Sequence, residues 1–132
     1  MVTWRKRWPL RPPPKPEELD KFTRSYIETA LWSSTDEVGV PLDENYDIHD
    51  IAPETLRKMA EDTAAFQESN WDDIKFALER AGHDFWLTRN RHGAGFWDGD
   101  WPRDVGRRLT EESHPYGTFD LYVGDDGKIH GQ

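Results

Sequence analysis

From residue 17 onward the apolar positions fall at helical intervals. Leu19, Phe22, Tyr26, Ile27 and Ala30 recur three and four residues apart, behind acids that a helix dipole favours, so the spacing predicts an amphipathic helix from Glu17 to about Ser33. The period is lost over 34–50, STDEVGVPLDENYDIHD, where Gly, Pro, Asn and six acids predict an ordered surface loop pinned by Leu42, Tyr46 and Ile48. Pro53 and Glu54 then open a second helix with Leu56, Met59, Ala60, Thr63 and Phe66 on its buried face. After a cap at Ser69 or Asn70, Trp71, Ile74, Ala77, Leu78 and Ala81 repeat the pattern as a third helix, and Gly82 reads as its left-handed stop.

The character then changes. In HDFWLTRNRHGAGFWDGDW, 83–101, Phe85 to Thr88 are strand formers, Asn90 to Gly93 have turn chemistry and Ala94 to Trp97 return to aromatic residues, which predicts a β-hairpin with Trp97 in the core. Asp100 and Pro102 introduce a short helix carrying Val105 and Leu109, and TFDLYVGDDGKIHGQ predicts a second hairpin closed by Asp-Gly. The expected fold class is α+β: three N-terminal helices packed on a small antiparallel sheet of two hairpins, with a short intervening helix.

With 132 residues, 35% hydrophobic and 13% aromatic, the chain suits one domain with a compact, Trp-rich core, expected over 17–132. No run approaches the roughly 18 apolar residues of a spanning helix and no signal peptide is recognisable, so a soluble, cytoplasmic chain without a membrane partner is expected. The lack of cysteine excludes disulfides, thiolate zinc sites and a cysteine nucleophile.

Charge divides the chain in two. Residues 1–15 hold five bases (Arg5, Lys6, Arg7, Arg11, Lys15) and no acid, leaving 12 bases against 26 acids, or −14, in the remainder. The Pro-rich stretch 1–16 is expected to be a flexible arm: a solvated extension, one that touches phosphates, or one that lies across the acidic body of its own or a neighbouring subunit. The −14 field disfavours direct nucleic-acid binding by the body. Residues 36–79 hold 13 acids against 3 bases, a density that solvates a face or imitates a duplex's phosphates; Asp62, Glu68, Asp72 and Asp73 are the candidates for the latter.

Candidate chemistry gathers at 83–108. His83, Asp84, His92 and Asp98 are ligand types for a divalent metal, although no metal-box spacing occurs, and the alternative is a junction in which Asp98 accepts backbone or arginine hydrogen bonds. The HGAG string at 92–95 is similar to esterase oxyanion loops, but no G-x-S-x-G elbow accompanies it, and no phosphate-loop pattern occurs, so no cofactor is expected. Arg89, Arg91, Arg103, Arg107 and Arg108 alternate with Trp86, Trp97 and Trp101, the residue types of protein-binding hot spots; the bland alternative is surface charge neutralising neighbouring acids.

Four strings, DENYDIHDIAPETLRKMAEDTAAFQ, AGHDFWLTRNRHGAGFWD, LTEESHPYG and LYVGDDGKI, occur in that order. Together they resemble a family of small uncharacterised bacteriophage and prophage proteins, over about residues 19–130. The resemblance implies a phage context and an early accessory role on host machinery, with no functional residues to carry over. The function expected is a non-enzymatic protein-binding factor acting on a host or host-defence protein, with an acidic DNA-like surface as one means. The alternative is a small metal-dependent enzyme at His83, Asp84, His92 and Asp98.

Overall fold

The computed structural model describes residues 13–132, so all but the end of the expected arm lies outside the described residues. Within them are helices α1 (Lys21–Ser33), α2 (Pro53–Ile74), α3 (Leu78–Arg89) and α4 (Arg103–Ser113), and strands β1 (Leu121–Val123) and β2 (Ile129–Gly131). The described chain is mainly helical, with one small antiparallel sheet among the described residues.

Helix α1 starts later than the periodicity predicts. Pro16–Glu18 form a 3-10 turn, and Asp20 caps α1 by accepting the Thr23 N–H at 2.7 Å, which supplies a partner for one of the helix's orphan donors. The acidic loop that follows is ordered by its own carboxylates, for Asp47 and Asp50 form a reciprocal capping box over Ile48–Asp50. Ile51 then forms a parallel bridge with Ile129, tying the loop to the C-terminal hairpin.

The second expected helix runs on through Asn70 as a 22-residue element ending at Ile74, and the residues expected as the third are divided, Trp71 and Ile74 falling in α2, Leu78 and Ala81 in α3, with Ala77 between them. Asn70 leaves helical geometry (φ −127°, ψ 19°), and its side-chain amide donates back to the Phe66 carbonyl at 3.0 Å, so the cap-forming residue kinks the helix without ending it.

The hairpin expected at 85–97 is a correction. Phe85 to Thr88 belong to α3, and every residue from Asp84 to Arg89 is buried. A short apolar run reads alike whether it is a buried strand or the centre of a helix covered on all sides, and here the packing selects the helix. Gly82 is likewise not a stop. It lies inside α3 where that helix crosses α1, and a Cβ there would overlap the Phe22 carbonyl oxygen. The missing side chain lets the two backbones meet.

Aromatic rings from every part of the fold fill the core. Phe66 of α2 stacks on Phe85 of α3 at 4.1 Å, and Tyr26 of α1 stacks on Phe85 at 5.3 Å. Phe96, from the loop after α3, closes the stack against Phe66 at 5.8 Å. The second hairpin forms as the sequence predicts, pairing Leu121 with Gly131 and Val123 with Ile129, and Gly127 takes the positive φ of 79° in its turn.

Two glycine substitutions should therefore have opposite signs. Gly82→Ala should destabilise by about 2–3 kcal/mol in urea unfolding, despite alanine's better helix propensity, because a backbone carbonyl blocks the methyl group. Arg91→Gly should stabilise by about 1 kcal/mol, since exposed Arg91 holds φ at 60°, where a side chain is strained. Equal small effects at both positions would contradict this packing.

Candidate functional site

Three of the expected binding residues belong to the interior. Arg89 is 2% exposed. Its guanidinium pairs with Asp62 at 2.8 Å, donates to the Tyr26 hydroxyl at 2.9 Å, and reaches the carbonyls of Gly117 and Tyr116 at 2.8 and 2.9 Å. Asp62 is buried with it, and Trp86 is buried with its indole N–H donating to Ser33 Oγ at 2.9 Å. Burial pushes the Tyr26 phenol well above the usual tyrosine range; Asp62 adds to the rise and Arg89 opposes it. Burial and then Asp62 also raise Tyr116. Desolvation alone would lower the Arg89 pKa, but Tyr26 and Asp62 outweigh it and hold the guanidinium charged.

What stays outside is a groove between the loop at 94–101 and α4, with a volume of about 810 Å³. The loop is built around α3. Thr88 Oγ1 accepts the Phe96 N–H at 3.0 Å, and Asp98 accepts the Gly95 N–H at 3.1 Å. That assigns Asp98 and the glycine string to the turn, and the Gly95 N–H is not free for an oxyanion. With Phe96 driven inward, Trp97 must point out: it is 54% exposed, a correction to its expected place in the core. Trp101 stands edge-on to Phe96 at 5.5 Å and lines the same groove.

Helix α4 forms the opposite wall. Gly106 lets it close on the Phe96 backbone, and Arg103 and Arg107, one turn apart, flank that contact. Among the described residues neither arginine has an ion-pair partner, whereas Arg108 turns away to Asp73, donating at 3.1 and 2.9 Å. Arg91 is exposed and does not line the groove.

Across the loop lies a second cleft of about 630 Å³, lined by Lys21, Phe76, Arg80, His83, Asp84 and Asp98 among others. Asp84, 2% exposed, holds His83 Nδ1 at 2.9 Å with one oxygen and accepts the Trp101 indole N–H at 2.7 Å with the other. His83, Asp84 and Asp98 thus share a cleft, but His92 lies in a different one, beside Thr118 and Phe119. Among the described residues no three His, Asp or Glu side chains gather as a cation would require.

The acids of α2 also separate. Asp62 faces inward and Asp73 holds Arg108, while Glu68 and Asp72 remain exposed. Sequence reasoning missed the exposure of Phe76 (86%) and Trp32 (47%), and it named Arg103 and Arg107 without separating them from the other arginines. Their four-residue spacing around Gly106 was the available signal. Comparison with protein-family models, curated proteins and solved structures found no match to this chain.

The raised phenols set an alkaline limit. The folded chain keeps protons that the unfolded chain releases from about pH 10, so this contribution is complete below pH 10 and is lost as pH rises towards the folded values. In an alkaline titration, the last phenolate absorbance should appear together with loss of helical circular dichroism, and Tyr26→Phe should remove that step. Ionisation of all four tyrosines with the helical signal intact would contradict the burial of Tyr26.

Proposed function

We propose that the protein is a non-enzymatic binding factor that engages a bacterial host protein through the groove between Trp97 and α4. The observation that carries this reading is the pairing of exposed Trp97 and half-buried Trp101 with two cations that have no ion-pair partner among the described residues. Indole and guanidinium groups on a held surface supply the residues that dominate protein interfaces, and Trp97 is positioned without being needed for packing. The phage or prophage setting, and with it an accessory role against a host or host-defence protein, rests on the sequence resemblance. The acidic-surface means of binding has less support than the groove, since two of its four carboxylates are paired with arginines.

A photo-crosslinking residue placed at position 97 or 103 in host cells should capture one protein, and Arg107→Glu should abolish capture. Trp97→Ala should abolish binding of that protein while changing stability by under about 1 kcal/mol, as expected of an exposed side chain. Capture from position 72 but not from 97 or 103 would move the interface to α2.

A further inference from the structure

Helix α2 has a surface stripe that neither the core nor the Trp97 groove uses. Ala64, Gln67, Glu68 and Trp71 line a shallow groove of about 470 Å³ with Asp20 at the start of α1. Trp71 is 46% exposed. Beyond Ala64 towards the start of α2, one and two turns further along the same face, lie Glu61 and Arg57, and among the described residues Glu61 Oε2 and Arg57 Nε have no hydrogen-bond partner.

We propose that this stripe is the docking surface for the chain's own residues 1–12, MVTWRKRWPLRP. Complementarity carries the choice of occupant: the segment holds Arg5, Lys6, Arg7, Arg11 and two tryptophans with no acid, and the stripe offers Glu61, Glu68, Ala64 and the Trp71 indole. Position agrees. The described chain begins at Pro13, and Arg24, one turn along α1 from Asp20, holds the Pro16 carbonyl at 2.7 Å, which fixes the point of attachment near the Asp20 end of the groove. Length agrees as well, because twelve residues can span up to about 40 Å and α2 runs for about 33 Å. The Trp97 groove is the poorer host, because Arg103 and Arg107 balance Asp98 and Glu111 there, whereas Asp20, Glu61 and Glu68 outnumber Arg57 along the stripe.

Attachment through Pro13 presents the segment at a high effective concentration, so modest contacts suffice in cis. One consequence is that the acids of α2 are answered within the chain, and a cationic partner seeking them must displace residues 1–12. This inference does not depend on the Trp97 groove being a partner site.

The chain has no cysteine, so a nitroxide on a single introduced one, Val2→Cys in the full-length protein, reports its own neighbourhood. The label should broaden the amide signals of Ala64, Glu68 and Trp71 selectively. The effect should persist when labelled protein is diluted with unlabelled protein free of the isotope, which establishes contact in cis. It should weaken in about 0.5 M salt, where charge pairing is screened. It should also weaken in Glu68→Lys, whose dispersed spectrum would show the fold intact. Broadening only in mixtures of differently labelled copies, broadening centred on Trp97 or Arg103, or no selective broadening at all would each overturn the proposal.

Discussion

The fold depends on a buried cation. A guanidinium taken out of water costs several kcal/mol unless its donors and its charge are answered, and around Arg89 each answer comes from a different part of the chain. Asp62 of α2 supplies the counter-charge, Tyr26 of α1 a hydroxyl, and Tyr116 and Gly117 two carbonyls where the backbone reverses at φ 73°. The rings of Phe85, Tyr116 and Phe119 lie 5.6 to 5.8 Å from the charge. Shifting any of these elements along its axis would leave a charge or a carbonyl unpaired in the interior, so the cation sets their mutual register.

That same helix end builds the surface. Thr88 holds the Phe96 amide, Asn90 accepts the Phe119 N–H at 2.8 Å, and Asp84 holds the Trp101 indole, so α3 secures three separate points of the chain that follows it. Trp97 is therefore an exposed aromatic residue on a fixed support. The two clefts beside it share Asp98 and are linked through the His83–Asp84–Trp101 contacts.

The sequence made legible those parts of the fold that local rules govern. The amphipathic stripes of α1, α2 and α4, proline at the start of α2 and Asp-Gly in the second hairpin each act within a few residues, and they are present. Failure came where tertiary packing overrides local preference. Phe85–Trp86–Leu87–Thr88 has strand-forming residues, yet it lies in the C-terminal half of α3, where every residue from Asp84 to Arg89 is buried. Gly82 resembles a cap because nothing local reveals that Phe22 lies against it. The candidate site was legible as a composition of Arg and Trp, but not as a geometry. Arg89 and Arg107 look alike in sequence, and only the tertiary packing buries the first against Asp62, Tyr26 and two carbonyls while leaving the second without an ion-pair partner among the described residues.

The claim that the Arg89–Asp62 pair sets this register is tested most directly by a double-mutant cycle of Arg89→Gln and Asp62→Asn, followed by urea unfolding. Asp62→Asn should cost about 3–5 kcal/mol by leaving the guanidinium buried without its counter-charge, Arg89→Gln should cost less because Lys58 still pairs with Asp62 at 3.1 Å, and the double variant should cost well under the sum of the two, a coupling of about 2 kcal/mol or more. Additive losses, or single variants of near wild-type stability, would show that Arg89 is not the constraint around which this fold is organised.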